Sequence, residues 1–398
     1  MSQKLEVLNT LDTGLDGIPV CTSDLSLTRL DDDGLPVLLY RGYSIYDLIK
    51  GSFEESIYLL LEGQLPNQKQ LQSFCQELTN HAHLEEPIQR HIKTYPKGVH
   101  MMDFLMTTLS FARMFDADYG NAAWQMPKSD EKLANLILKA GMHLGAKIPA
   151  IIASGYRIQK GEAPIAPDSS LGYAANVLHL LGITPEEDLA TALNIVLILY
   201  LDHTINCSTF TSLVVESSMT DPYGPLIAAG TSLKGVRHGG ANDIAAGMFD
   251  EIGKPENAKE YIFNKLNKKE IVFGFGHRLG HYKHNVESRV RIAEKIGRPL
   301  AEKKGMSHFF EIYDIISRIM LQEKNRTPNA DLPICLILKI IGIPKILNTP
   351  IFQASRHFGW VANNARQRKA KGPLYRPTQE YTGHGMTKKR VYIPLGKR

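Results

Sequence analysis

The stretch that most constrains the fold runs from Thr184 to Tyr200. Leu189, Ala192, Leu193, Val196, Leu197 and Tyr200 recur at spacings of three and four, and Ile195, Ile198 and Leu199 fill the other faces. A helix that is apolar nearly all round has to be buried on every side, so other elements must surround it. Thr184-Pro185-Glu186-Glu187 predicts its start, with Thr184 as N-cap, proline at the first helical position and Glu187 at the third. The helix then delivers Asp202 and His203 out of the core.

Further helices can be read along the chain. Ser52 with Glu55, and Asn67 with Gln70, have the spacing of capping boxes, and Gly63 with Pro66 ends the first of these helices. Helical periodicity also marks His100 to Phe115, Glu131 to His143, Ile148 to Gln159, and Thr349-Pro350 through Arg366. Val37 to Tyr40 reads as a short strand after the Asp31-Asp32-Asp33-Gly34 turn, with Pro36 at its edge. There are no repeats and no sustained strand alternation, so the fold class is mainly α. Residues 254–270 and 294–305 are rich in Lys and Glu, as on exposed helices, while Gly and Pro gather at 235–253, 274–280 and 342–350. These breaks divide the 398 residues into a large domain (1–239 and 343–398) and a smaller inserted domain (240–342).

Composition excludes several classes of protein. The four cysteines (Cys21, Cys75, Cys207 and Cys335) lie far apart without a CxxC pair, which argues against a disulfide framework or a zinc site. The net charge of +5 gathers in the C-terminal region, at Arg366, Arg368, Lys369, Lys371, Lys388, Lys389, Arg390, Lys397 and Arg398. No aromatic platform is interleaved there, so nucleic acid is not the expected partner. Met1 to Gly17 has no apolar core of a signal peptide, and the most apolar run, Ile195 to Leu201, is far short of a membrane span. The expectation is a cytoplasmic protein without a membrane partner.

Three stretches carry chemistry. His238 stands against Gly239 and Gly240, just before a predicted helix from Asp243 to Glu251. A helix N-terminus disfavours the imidazolium, and a neutral imidazole can hydrogen-bond a developing enolate. Gly274-Phe275-Gly276-His277-Arg278 repeats a histidine on a glycine turn, and Asn329-Ala330-Asp331 places a carboxylate where a helix begins. Two histidines and one aspartate form an acid/base set suited to removing a proton beside a carbonyl. Each residue has a plainer role too. Asp331 could cap the helix from Leu332, His203 could be a core histidine, and Arg356 could pair with a surface acid.

With these stretches in order, the chain resembles the citrate synthase family over nearly its whole length. Leu39-Tyr40-Arg41-Gly42-Tyr43, Tyr58 to Pro66, His100-Met101-Met102-Asp103 and Leu201 to Phe210 resemble the family's early segments. His238 to Asn242, Gly274 to Arg278 and Asn329-Ala330-Asp331 follow in the family's order, and Pro350 to Arg356 and Tyr375-Arg376-Pro377 match its closing segments. The resemblance implies a homodimer of two-domain helical subunits with the active site in the cleft between domains. It implies condensation of an acyl-CoA, acetyl-CoA first, with oxaloacetate, without a metal or other cofactor. Carried over by motif, Asp331 takes the methyl proton, His238 stabilises the enolate, and His277 polarises the keto carbonyl and protonates the alkoxide. His203, Arg289 and Arg356 bind oxaloacetate, and Arg376 reaches in from the partner subunit.

The sequence also departs from the family pattern. The segment from Leu279 to Arg289 is three residues longer and lacks Asp-Pro, which leaves Arg289 open against Arg291, and Lys283 against its histidine neighbours as the CoA-phosphate contact. Leu332-Pro333-Ile334 replaces Phe-Tyr-Ser after Asp331. Arg237 stands where leucine is usual, so a cation there could lower the pKa of His238 or meet a carboxylate. Three alternatives stay open: 2-methylcitrate synthesis from propionyl-CoA, citryl-CoA cleavage as a lyase module (disfavoured, since no CoA-ligase domain is present in this chain), and a non-catalytic binding protein on the same fold.

Overall fold

The computed structural model describes residues 14–15, 17–116, 131–277, 279, 282, 285–383 and 390–397. Among them the chain is mainly helical, as its periodicity predicts, with one small sheet. The helix Glu187–Tyr200 lies in the core, with Leu193, Val196, Leu197, Ile198, Leu199 and Tyr200 all at 0% exposure. Its start is later than predicted. Glu186 is the N-cap and makes no side-chain capping bond, and the Thr184 carbonyl instead accepts from the Glu186 N–H at 2.8 Å.

A second buried helix, Asn348–Lys369, begins one residue before the predicted Thr349-Pro350 and continues past Arg366. It is buried continuously from Asn348 to Ala365 although many of its residues are polar. Several of those polar groups bond to the helices around them. Ser355 Oγ donates to the Leu197 carbonyl at 2.5 Å, Arg356 Nε donates to the Tyr200 carbonyl at 2.6 Å, and His357 Nε2 lies 2.8 Å from the Gly141 carbonyl.

The sequence predicts separate helices on either side of residues 144–147, but the structure has one, Glu131–Gln159, with Pro149 inside it. Proline removes the N–H that would bond the carbonyl four residues back, here that of Gly145. Tyr173 Oη supplies the missing donor, 3.2 Å from the Gly145 carbonyl and 3.1 Å from that of Ala354. The helix is long and apolar enough to cross a membrane by length and composition, and 78% of its most apolar window is buried within the protein. That face packs on Asn348–Lys369.

Both capping boxes form, at Ser52/Glu55 and Asn67/Gln70. The predicted strand is the centre of a three-stranded antiparallel sheet, Ser26–Leu30, Pro36–Tyr40 and Tyr43–Ser44, with Pro36 paired to Leu30 at its end. Fully buried Tyr40 ties this sheet to the core, its hydroxyl 2.9 Å from the Ile198 carbonyl and 3.0 Å from that of Asp202. The helices Gly240–Ile252, Pro255–Asn267, Ser288–Lys303, His308–Lys324 and Asp331–Ile341 pack on one another. Ser288–Lys303 and Asp331–Ile341 also meet Glu187–Tyr200, so the candidate site lies where these groups of helices join.

Candidate active site

Two segments are held together so that His277 lies near Asp331. The Gly276 N–H donates to the Thr327 carbonyl at 2.8 Å, the Asn329 N–H to the Gly274 carbonyl at 2.9 Å, and Asn329 Nδ2 to the Gly276 carbonyl at 3.2 Å. Gly274 has φ +86°, and a Cβ there would lie 2.5 Å from Leu332 Cδ1, so this approach requires glycine. Gly240 is constrained by space alone, since a Cβ there would meet the Lys234 carbonyl oxygen at 2.4 Å. This lets the chain turn back on itself between His238 and its helix.

Asp331 is the first residue of its helix, and Ala330 is the N-cap without a side-chain bond, so Asp331 does not cap the helix. Its carboxylate accepts from Asn242 Nδ2 at 3.5 Å, and the same amide donates to Tyr200 Oη at 2.6 Å. Burial raises the Asp331 pKa to about 6, with the Arg289 guanidinium opposing the rise. An acid held there can take a proton near neutral pH and give it back.

His238 is held by Ser208. The Ser208 N–H points at Nε2 from 3.3 Å, and Ser208 Oγ lies 2.7 Å from the same nitrogen. A backbone N–H can only donate, so Nε2 is the acceptor and the ring proton belongs on Nδ1. Burial, then the Arg356 charge, lowers the His238 pKa to about 3, so the ring is neutral. The cation responsible is Arg356, whereas Arg237, the sequence candidate, is exposed. Phe352 links the pieces: it stacks on Tyr200 at 3.9 Å, meets His238 edge-on at 6.3 Å, and takes the Arg356 guanidinium over its face at 4.8 Å.

His203, His277, Arg289 and Glu287 form the other wall. The His203 and His277 rings lie 5.3 Å apart, and Tyr282 packs edge-on against His277 at 4.8 Å. Arg289 is buried and donates to Glu287 Oε2 from both Nε (3.0 Å) and Nη2 (2.8 Å). Arg291 is less buried and hydrogen-bonds Tyr46, so of the two arginines it is Arg289 that shares the wall with His203. Glu287 was not singled out from the sequence. It lies 3.6 Å from His203 Nε2 and also accepts from the Ala330 N–H at 2.7 Å, one residue before Asp331. An acid two residues before a candidate clamp arginine was the available signal.

Arg356 is 1% exposed, and burial lowers its pKa to about 10 while the Asp202 charge opposes that shift. Asp202 is itself buried, accepts from Ser26 Oγ, and is raised to about 6 by burial. Arg289 and Arg356 repel each other, as two cations kept for an anion would. Arg376 is not brought into this cluster. It is exposed on the segment after Asn348–Lys369, next to Tyr375, whose Oη donates to the Val20 carbonyl at 3.0 Å. Lys283 lies outside the described residues. His203, His277 and Glu287 offer ligand atoms within 4.8 Å of one another, but Arg289 already neutralises the carboxylate, which suits the trio to anion and proton handling rather than to a metal.

Fold and site define a helical enzyme that gathers buried carboxylic acids, a neutral imidazole, two further histidines and paired guanidiniums in one region. The family described as citrate synthase, C-terminal domain, matches residues 14–378. The chain is 37% identical over 392 residues to Citrate synthase 2 of Bacillus subtilis, covering 98% of this chain and 100% of that one. It is 34% identical over 373 residues to 2-methylcitrate synthase of Mycobacterium tuberculosis, covering 93% and 90% of the two chains. Among solved structures, citrate synthase of Pyrobaculum aerophilum superposes with a TM-score of 0.86 at 30% identity, covering 97% of this chain and 95% of that one. Citrate synthase of Thermoplasma acidophilum, in a ternary complex with carboxymethyl coenzyme A and oxaloacetate, gives 0.85 at 26% identity over 97% and 99%. The chain belongs to the citrate synthase family and is an acyltransferase.

Proposed function

We propose that this protein condenses acetyl-CoA with oxaloacetate and water to give citrate and CoA. The observation that carries this reading is the pairing of Asp331, held near a pKa of about 6, with a neutral His238. A thioester α-proton is weakly acidic, so a carboxylate base needs a hydrogen-bond donor at the thioester oxygen. In this scheme Asp331 removes the methyl proton and His238 donates from Nδ1 to the enolate oxygen. The enolate carbon bonds to the keto carbon of oxaloacetate, and His277 protonates the new alkoxide. Water then cleaves the thioester and releases CoA. Arg289 and Arg356 each take a carboxylate of oxaloacetate, with His203 beside them.

The reading includes a large domain (1–239 and 343–398) closing on the segment 240–342, a homodimer in which Arg376 serves the neighbour's cleft, a cytoplasmic location, and a reaction that requires no metal. It is supported by the ternary complex of the Thermoplasma relative. The second reading is 2-methylcitrate synthesis from propionyl-CoA, favoured by relatives of that name at 34% identity. One methylene in an apolar pocket discriminates by only ~1–3 kcal/mol, so the same residues serve both. Thiol release with oxaloacetate and each acyl-CoA tests the proposal. A larger kcat/KM for acetyl-CoA is expected; preference for propionyl-CoA selects the second reading, and no release with either leaves a binding protein.

A further inference from the structure

Away from the cleft, helices Gln68–His81 and Glu131–Gln159 pack side by side and bring Glu77, His81 and His143 together. Glu77 and His81 are four residues apart on one helix, so both side chains leave the same face. His143 answers from the other helix, with Nε2 3.3 Å from Glu77 Oε1. The His81 and His143 rings lie parallel, 3.4 Å apart at 16°. One ligand atom from each of the three residues lies within 4.8 Å of the others.

We propose that Glu77, His81 and His143 form a binding site for a divalent transition metal, zinc foremost, that fastens the outer helix Gln68–His81 to the core helix Glu131–Gln159. Two imidazole nitrogens and a carboxylate oxygen are a donor set that zinc favours, with a fourth position for water or another acid. The Asp116 carboxylate is close enough to act on the charge of His81. Lys147, a cation that acts on His81, is engaged by Glu85 at 2.8 Å.

Parallel rings cannot both aim a lone pair at one ion, so one ring has to turn for metal to bind. His81 can do so because it is the last residue of its helix and only partly buried. Tetrahedral zinc with bonds of about 2.0–2.1 Å sets its ligand atoms roughly 3.3 Å apart, the separation that His143 and Glu77 already have. A cavity of ≈ 410 Å³, lined among others by Tyr58, Phe74, Glu77, Lys139 and Met142, opens beside the carboxylate and gives an ion a way in.

The test uses the full-length protein after chelator treatment, titrated with zinc sulfate, counting bound metal by equilibrium dialysis and following thermal unfolding. His81→Asn and His143→Asn should each bind one zinc fewer than the parent. Zinc should raise the unfolding midpoint of the parent by more than that of either variant, and turnover without zinc should match in all three. Zinc held instead by His203, His277 and Glu287 would persist in both variants and show itself by inhibiting turnover. Equal zinc binding by parent and variants, or no saturable binding by the parent, overturns the proposal. If a histidine variant fails to fold, Glu77→Gln carries the same comparison, because that side chain is 44% exposed and its loss perturbs packing least.

Discussion

Asp331 carries two opposed requirements. To serve as the base of the proposed reaction it must be ionised, yet burial raises its pKa from 3.8 to about 6. A raised folded-state pKa means that the native protein binds this proton more tightly than the unfolded chain does. The stability so gained is complete below the unfolded value and is lost as pH rises through about 6. Asp331→Asn should therefore melt higher than the parent at pH 8, by on the order of 3 kcal/mol, with the advantage shrinking towards pH 4. Thermal melts at the two pH values check this, and equal gains at both would contradict it. The same variant should lose roughly a hundredfold or more of turnover. For the parent, kcat/KM should fall as pH drops below about 6, read from its pH profile. His238→Ala should abolish condensation while oxaloacetate still binds by calorimetry, since its partners are Ser208 and Phe352 rather than Arg289. Asp331, His238 and His277 could be picked out as candidates because each sits in a short stretch marked by glycines or by a helix start. Glu287 and Ser208 were not, because their importance lies in contacts that span many residues, 43 from Glu287 to Ala330 and 30 from Ser208 to His238.

At the scale of elements, the legible features were those fixed by neighbours in sequence. Capping boxes at Ser52 and Asn67 depend on three-residue spacing and form as predicted. The helix through Pro149 was read as two because the residue that repairs the break, Tyr173, lies 28 positions from Gly145. Tyr173→Phe should cost about 1–3 kcal/mol of stability by leaving a buried carbonyl without a donor. The same change in a Pro149→Ala background should cost less, because the introduced alanine supplies a backbone N–H to the Gly145 carbonyl. Denaturant unfolding of the four proteins checks this, and equal costs in both backgrounds would show that Tyr173 acts mainly through Ala354.

At the scale of the whole molecule, the exposed tail bearing Arg376 sets the question of sharing. If Arg376 completes the neighbour's cleft, inactive Arg376→Ala chains mixed with inactive Asp331→Asn chains should regain part of the activity, since one mixed site has both residues intact. Subunit exchange is verified first by mass-tagged chains, and exchange without recovery would reject the shared site. The placement of charge has a further consequence. Asp202, Glu287 and Asp331 stand against Arg289 and Arg356 in one buried region, and two of those acids have pKa values near 6. An incoming dianion would draw the guanidiniums to itself and push both acids' pKa values higher. The protein would then take protons from solution as it fills. Binding heats for oxaloacetate near pH 6.5 should thus depend on the ionisation enthalpy of the buffer, and that dependence should fade at pH 9. In that sense the site would work as a proton store, charged from the solvent whenever a substrate anion arrives.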